Sequence, residues 1–311
     1  MTAQEKQGSE TSPARQYFSQ PHLGTLVQIA FYSDNKDLSQ KLANHSFKRI
    51  EKLNKIFSDY LSDSEVSQLC AKPAKVAHRV SEDLFTVIAQ AQEISIATDG
   101  AFDITLGHST QKWRESARQK KLVQKDEIQT SYKDLILDSK TKTILLRQPL
   151  KIDLGGIAKG YIADQVMLIL RKAGIKQAAV IIGGEMLFTE APPGKVGWTV
   201  RIEQPSREIL GALTIHNTAL STSGDSYQFF EQDHVRHSHL IDPSNGKSKT
   251  DRLNVTTLAQ SAILADAWAT ALRVSLRKSA FELANETTDI EAAFIPFGKA
   301  PTFTQGFPKL Q

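Results

Sequence analysis

Between Leu150 and Gly184 the chain reads strand, glycine pair, helix, strand, glycine pair, and no other segment restricts the fold as strongly. Leu150 to Leu154 has the pattern of a short strand running into Gly155-Gly156. Helical spacing follows from about Ile157 to Ala173, closed by Gly174. Ala178 to Ile182 is a buried strand that ends at Gly183-Gly184. A helix between two strands must lay its apolar stripe on a sheet face. The junction is also chemically suggestive. Glycines let backbone approach a ligand closely, and a helix start favours anionic groups. Asp153 stands at the strand end and Lys159 in the first helical turns. The order G-x-G-x-x-G is absent and no G-K-[ST] ends the loop, which excludes a dinucleotide fingerprint and a P-loop. On the residues alone, a glycine-packed structural turn and an anion-binding turn are equally open.

The flanking chain supplies further elements. Leu23 to Phe31 reads as a first strand, Asp37 to Tyr60 as a helix, and Ser81 to Ala97 as a second helix with Ser81 as N-cap. Residues 111–133 are polar and basic and read as a surface excursion with some helix. Leu135 to Leu137 and Ile144 to Leu146 look like short paired strands. Trp198 to Ile202, Ala212 to Ile215, Tyr227 to Phe230 and His237 to Ile241 look like strands of a sheet. Ser261 to Leu276 is an Ala-rich helix and Ile290 to Ile295 a last strand. Runs of strands mixed with a few helices predict α+β rather than a regular βαβ alternation.

Composition removes several classes of function. No run approaches the roughly 18 apolar residues that span a membrane. Cys70 is the only cysteine, so neither a disulfide scaffold nor a Cys-rich zinc site is available. Net charge is +4 with scattered basic residues, which argues against nucleic acid as a partner. Residues 1–20 are polar, without a basic head and apolar stretch, and read as a disordered tail rather than a secretory signal. The expected compartment of the chain as written is the cytoplasm, or the periplasm or inner membrane if an export signal was removed.

Three more segments carry chemistry. Ser221-Thr222-Ser223-Gly224-Asp225 is a hydroxyl-rich turn that either binds phosphate or satisfies its own backbone. His234, His237 and His239 lack an obvious carboxylate or cysteine set for zinc. On a strand His237 and His239 would share a face, and one of them could act as a base. Asp266 and Thr270 lie four apart in an apolar helix and so share a face. A buried Asp there needs a partner, and a hard cation with Thr270 as second oxygen ligand would supply it. The alternative is an exposed polar stripe.

These segments in order resemble the ApbE family, the FAD:protein FMN transferases. The resemblance runs from about Leu23 to Phe297. It rests on Thr98-Asp-Gly-Ala-Phe-Asp-Ile-Thr105, the Asp153 to Gly160 turn followed by Tyr161-Ile162-Ala163-Asp164, and Gly183-Gly184. Ser221-Thr-Ser-Gly224, Ser238-His-Leu-Ile-Asp-Pro243 and Ala265-Asp-Ala-Trp-Ala-Thr270 complete it. The resemblance implies an α+β fold with mixed and antiparallel sheets, over residues 21–311 as one catalytic domain. It implies cleavage of the FAD pyrophosphate, transfer of FMN to a Ser or Thr of a target flavoprotein, and release of AMP. It implies Mg²⁺ held by Asp266, Thr270 and the carbonyl of Gly156. FAD contacts would fall on Leu23, Tyr60, Ala101, Phe102, Asp103, Asp153, Lys159 and Ile241. His239 matches the histidine that assists proton removal, with Asp242 as a second candidate base. The family works on the outer side of the bacterial inner membrane.

Several positions depart from the family pattern. Ser226 and Tyr227 stand where Tyr and Arg are usual, so an aromatic contact and a positive group are missing or supplied elsewhere. Glu185 replaces the commoner Asn or Asp, Ala269 a second Asp ligand of some relatives, and Cys70 an Asn. A weaker metal site is the expectation. Two rival functions are a Mg²⁺-dependent FAD pyrophosphatase and a non-catalytic FAD-binding protein. The aromatic Tyr60 favours transfer over hydrolysis.

Overall fold

Val27, Ile29 and Phe31 enter one buried cluster while Ala30 enters another, and Ala178, Val180 and Ile182 divide from Ala179 in the same way. Side chains alternate along a strand, so each of these strands feeds a core on both faces. The computed structural model describes residues 12–123, 129–275 and 277–311. Its main sheet holds eight strands: β1 (Arg15–His22), β2 (Thr25–Tyr32), β3 (Ala178–Ile182), β4 (Glu185–Phe188), β5 (Thr218–Ser223), β6 (Leu253–Ala259), β7 (Glu291–Pro296) and β8 (Thr302–Phe303). They lie side by side in chain order, and every neighbouring pair is antiparallel.

The helices among the described residues are α1 (Lys36–Phe57), α2 (Glu65–Ala71), α3 (Glu82–Ala97), α4 (Gly107–Gln119), α5 (Ala158–Lys172), α6 (Ala262–Val274) and α7 (Arg277–Glu286). Asn35 caps α1 by accepting from Leu38 N–H, and Ser81 caps α3 by accepting from Leu84 N–H. Helices α1, α3, α5 and α6 bury their apolar stripes with Val27, Ile29 and Phe31 on one sheet face. The opposite face is covered by the hairpin of Trp198–Glu203 with Ile209–Ile215, which packs Val200, Ile202 and Leu213 near Phe188, Leu220 and Ile295. Each fully buried Ile, Leu or Phe contributes about 1.5–3 kcal/mol. None of the described helices is long and apolar enough to cross a membrane.

Some expectations are corrected. The polar tail was expected to reach residue 20, but Arg15–His22 is paired strand; residues 1–11 lie outside the described residues. An edge strand buries little, and only Phe18 on Phe31 and His22 on Phe47 anchor β1, so its composition reads as polar. Leu23 and Gly24 form the β1–β2 turn, with φ of 55° and 71°, so the first strand is a hairpin. Leu150–Leu154 forms no strand; a single parallel bridge joins Lys151 to Leu106. The excursion at 111–133 is in part α4, and its residues 124–128 lie outside the described residues. The four strands expected between 198 and 241 form two hairpins of their own, the second pairing Phe229–Gln232 with Val235–Ser238.

The register brings one end of the sheet together. Val27 faces Ile182, Glu185 faces Ser221, Ser223 faces Val255 and Leu253 faces Pro296. The Leu23–Gly24 turn, the Gly183–Gly184 turn, the Ser221–Gly224 turn and the start of β6 therefore share that end. Helix α5 begins there, and α6 returns toward it.

Candidate active site

The close approach of α5 to α6 is made by glycine. A Cβ at Gly160 would lie 2.2 Å from the Ala262 carbonyl oxygen and 2.8 Å from Asp266 Cβ. One at Gly156 would lie 3.0 Å from Thr270 Oγ1 and 3.3 Å from the Phe102 ring. The antiparallel crossing thus sets Gly156 against Thr270 and Gly160 against Asp266. Asp164, one turn further along α5, accepts from Ala262 N–H and Ile263 N–H, each at 2.9 Å. It caps α6 from a neighbouring helix, since Ser261 makes no side-chain cap.

Asp266 is 2% exposed, and its Oδ2 accepts from Gly160 N–H at 2.9 Å. Burial pushes its carboxyl up to about 7, with Lys159 working against that and Glu185 adding to it. Among the described residues no donor reaches Oδ1, and the Thr270 hydroxyl has no partner. Two unpartnered hard oxygens, one on a carboxylate whose ionised form burial disfavours, fit a small divalent cation, with Gly156 adjacent. No group of three or more His, Cys, Asp or Glu suited to a metal occurs among the described residues, so one carboxylate would carry the charge. Ala269, which stands where the resemblance implies a second Asp ligand in some relatives, is fully buried.

Lys159 donates to Glu185 Oε1 at 2.5 Å, and Glu185 is 4% exposed with Oε2 unpartnered. Burial opposes the Lys159 ammonium, yet Glu185 and Asp266 outweigh it and raise its pKa above the ordinary value. Glu185 therefore joins the candidate site as the partner of Lys159, although the sequence marked it only as a departure. Its partner lies 26 positions away, and the packing of α5 on β4 brings them together.

His239 lies past the end of the Val235–Ser238 strand, so it shares no strand face with His237 as was expected. Its backbone N–H and Nδ1 both contact the Gln228 carbonyl at 3.2 Å. A carbonyl only accepts, so Nδ1 carries the proton and Nε2 is the free acceptor. Burial pushes the imidazole down to about 4. The Trp113 ring packs edge-on to His239, and its Nε1 donates to the His237 carbonyl. Asp242 is committed elsewhere: Oδ1 accepts from Ser244 N–H and hydroxyl, and Oδ2 faces Lys249 at 3.6 Å. His234 sits apart in an exposed turn at φ 61°.

The other expected FAD contacts scatter more. Leu23 is at the site end of the sheet in its turn. Ala101 is half-buried beside Phe102, and Phe102 is core whose ring touches the Gly156 turn. Asp103 is used by the fold, accepting from Thr105 N–H and hydroxyl and from Tyr132 N–H. Asp153 Oδ1 accepts from Gly155 N–H at 2.7 Å and shapes the turn. Ile241 is buried and paired with Ser248. Tyr60 is 77% exposed, with the Arg114 guanidinium 4.2 Å from its ring centroid. It lines an open cleft of about 690 Å³ with Asp59, His108, Trp113, Arg114 and Lys151. Arg114 is ion-paired to Asp59, and Asp153 acts electrostatically on both. Trp113 and Arg114 were missed in the polar stretch, where a lone Trp was the available signal. Cys70 Sγ accepts from Ile152 N–H at 3.3 Å and so steadies the segment leading to Asp153.

Comparison with known proteins gives a consistent result. The model of the ApbE family matches residues 23–294. A FAD:protein FMN transferase of Vibrio cholerae is 31% identical over 279 residues, covering 86% of this chain and 83% of that protein. One from Klebsiella pneumoniae is 28% identical, covering 88% and 86%. The apo crystal structure of the flavinyl transferase ApbE of Pseudomonas stutzeri superposes with a TM-score of 0.85 at 25% identity, over 96% of this chain and 97% of that one.

Proposed function

The chain belongs to the ApbE family, and from that premise we propose that it is a FAD:protein FMN transferase that cleaves the FAD pyrophosphate, moves FMN onto a Ser or Thr of a target flavoprotein and releases AMP. The observation that carries this reading is the crossing of α5 and α6. It sets two free oxygens, of Asp266 and Thr270, beside a glycine turn, with the Lys159 ammonium next to them.

Mg²⁺ would be held by Asp266, Thr270 and the Gly156 carbonyl, and when bound it supplies charge neutralisation at the pyrophosphate. The chain's own groups do the rest. At the start of α5 the N–H groups of Ala158 and Gly160 are taken by the Leu154 carbonyl and Asp266, so the charge offered to an anion there is the Lys159 ammonium, reinforced by the positive end of the helix. Glu185 keeps that ammonium in place and ionised. Phosphoryl transfer depends mainly on such positioning and on stabilised charge. His239 is neutral at pH 7 and offers Nε2 to the proton of the incoming hydroxyl. A base this weak takes the proton only as the new P–O bond forms, and contributes about 10²–10⁴-fold. Tyr60, on the open cleft, offers a face to a flat ring.

The test is incubation with FAD, Mg²⁺ and a candidate flavoprotein domain. Covalent fluorescent flavin on the target is the expected result, and Asp266→Ala should abolish it. FMN and AMP in solution with an unlabelled target would replace this reading with hydrolysis. Intact bound FAD would replace it with carriage.

A further inference from the structure

Two guanidinium groups, of Arg207 and Arg236, bond to the turn after β5, and that of Arg252 lies close enough to act electrostatically on Arg236. Arg207 donates through Nε and Nη2 to the Ser226 carbonyl at 3.2 and 3.0 Å. Arg236 donates through Nη2 to the preceding carbonyl, of Asp225, at 3.0 Å, and its Nε faces Asp225 Oδ2 at 3.1 Å. Arg252 donates through Nη2 to the Pro205 carbonyl at 2.8 Å, in the same tight loop that carries Arg207. Each guanidinium also lies over an aromatic ring: Arg207 over Tyr227 at 4.7 Å, Arg236 over Phe229 at 3.2 Å, Arg252 over Phe297 at 3.6 Å. Stacking and a backbone anchor fix the plane of each fork, and no described residue pairs with any of the three Nη1 groups.

Among the described residues only Arg236 of the three has an ion-pair partner, the buried Asp225; Arg207 and Arg252 have none. Asp225 is the buried partner of Arg236, Glu203 accepts from the Tyr227 hydroxyl, and Glu231 acts on Arg236 from its own strand. Partial burial, then the charges of Arg252 and Arg207, depress the Arg236 guanidinium despite Asp225 and Glu231. The buried Nε of Arg236 and that of Arg252 have no hydrogen-bond acceptor. Arg207 also holds a left-handed backbone, φ 72°, in the tight loop.

The cluster is tied to the candidate base. Residues 225–228 hold Arg236 and Arg207 through the carbonyls of Asp225 and Ser226, and hold His239 through the carbonyl of Gln228. Arg252 immediately precedes β6, at the sheet end where Glu185 faces Ser221. Arg207 and Arg236 are thus anchored within three residues of the Gln228 carbonyl that holds the candidate base. We propose that Arg207, Arg236 and Arg252 form a docking site for an acidic segment of the acceptor protein, a proposal that rests on the transfer reading above. Free guanidinium edges match carboxylates by paired N–H···O bonds. Rim charges of this kind govern the encounter rate and its salt dependence.

The experiment uses the full chain and a fluorescein-labelled hexaglutamate peptide, followed by fluorescence anisotropy at ~50 and ~200 mM salt. Binding that weakens steeply with salt is expected. The double variant Arg207→Gln/Arg252→Gln should bind about tenfold more weakly or worse. Arg201→Gln removes one exposed charge outside the cluster and should bind as wild type does, while Arg207→Gln alone should not. Arg207→Lys, which keeps charge without the fork, should fall between, and thermal denaturation of each variant shows that it is folded. Peptide affinity indifferent to Arg207 and Arg252, or an equal loss in Arg201→Gln, overturns the docking site. So does tighter binding of inorganic phosphate than of peptide, which would mark a phosphate site. FAD binding and labelling are measured on the same preparations. Wild-type protein that takes no FAD and labels no acceptor overturns the transferase reading instead, and the peptide result is independent of it.

Discussion

Replacing Asp266 by Asn should stabilise the metal-free chain while removing its response to divalent cations. The carboxyl is raised from an ordinary 3.8 to about 7. One pKa unit corresponds to about 1.4 kcal/mol, so keeping Asp266 ionised above pH 7 costs about 4 kcal/mol of folding free energy. The folded pKa lies above the unfolded one, so the folded chain retains a proton that the unfolded chain has lost between about pH 4 and 7. Stability from this group therefore falls as pH rises through that window and is flat above it. Asn keeps an oxygen for the Gly160 N–H but carries no charge. The attraction of Lys159 is already contained in that raised pKa, so the gain at pH 8 is about 4 kcal/mol. The assay is thermal denaturation followed by circular dichroism at pH 5 and pH 8, with and without Mg²⁺. Wild type should be less stable at pH 8 than the variant, and Mg²⁺ should raise its midpoint by several degrees. The variant should show neither effect. A variant less stable than wild type at pH 8 without cation would refute the claim that this carboxylate is held at a cost.

Three more substitutions probe the surroundings. Gly160→Ala puts a methyl 2.2 Å from the Ala262 carbonyl and should cost about 3 kcal/mol or prevent folding, read by denaturant titration. Asp164→Ala removes two bonds to the start of α6 and should lower stability by about 1–2 kcal/mol, with cation affinity falling as α6 loosens. Tyr60→Ala, at a residue 77% exposed, should leave stability within about 0.5 kcal/mol yet weaken FAD binding, measured by flavin fluorescence.

Periodicity and capping made the helices legible. Asn35 and Ser81 cap as their types suggest, and Gly174 closes α5 with φ 80°. The edge strand Arg15–His22 was not legible, because one shallow contact face leaves no apolar alternation to detect. The pair Asp266 and Thr270 could be read from spacing along a single helix. Gly156 could be placed with them only by resemblance, since its neighbour Thr270 comes from a helix more than a hundred residues later. Glu185 with Lys159, and Trp113 with His239, join segments that only the tertiary fold brings together, so no local pattern announces them. The turn that lacked its expected arginine receives Arg207 and Arg236 from other parts of the chain, which a single-segment comparison does not reveal.

The strictly sequential order of the main sheet has an evolutionary consequence. Since each strand lies beside its successor, everything between two strands is an insert that leaves and rejoins the sheet at neighbouring places. The groups proposed to handle the nucleotide sit mainly on the inserts before β3 and after β6, apart from Glu185 and His239. The three arginines sit on or beside the inserts flanking β5. Loops of the second kind can lengthen, shorten or change charge without re-registering the strands under α5 and α6. Choice of partner and the chemistry performed on it are thus free to diverge at different rates within one scaffold.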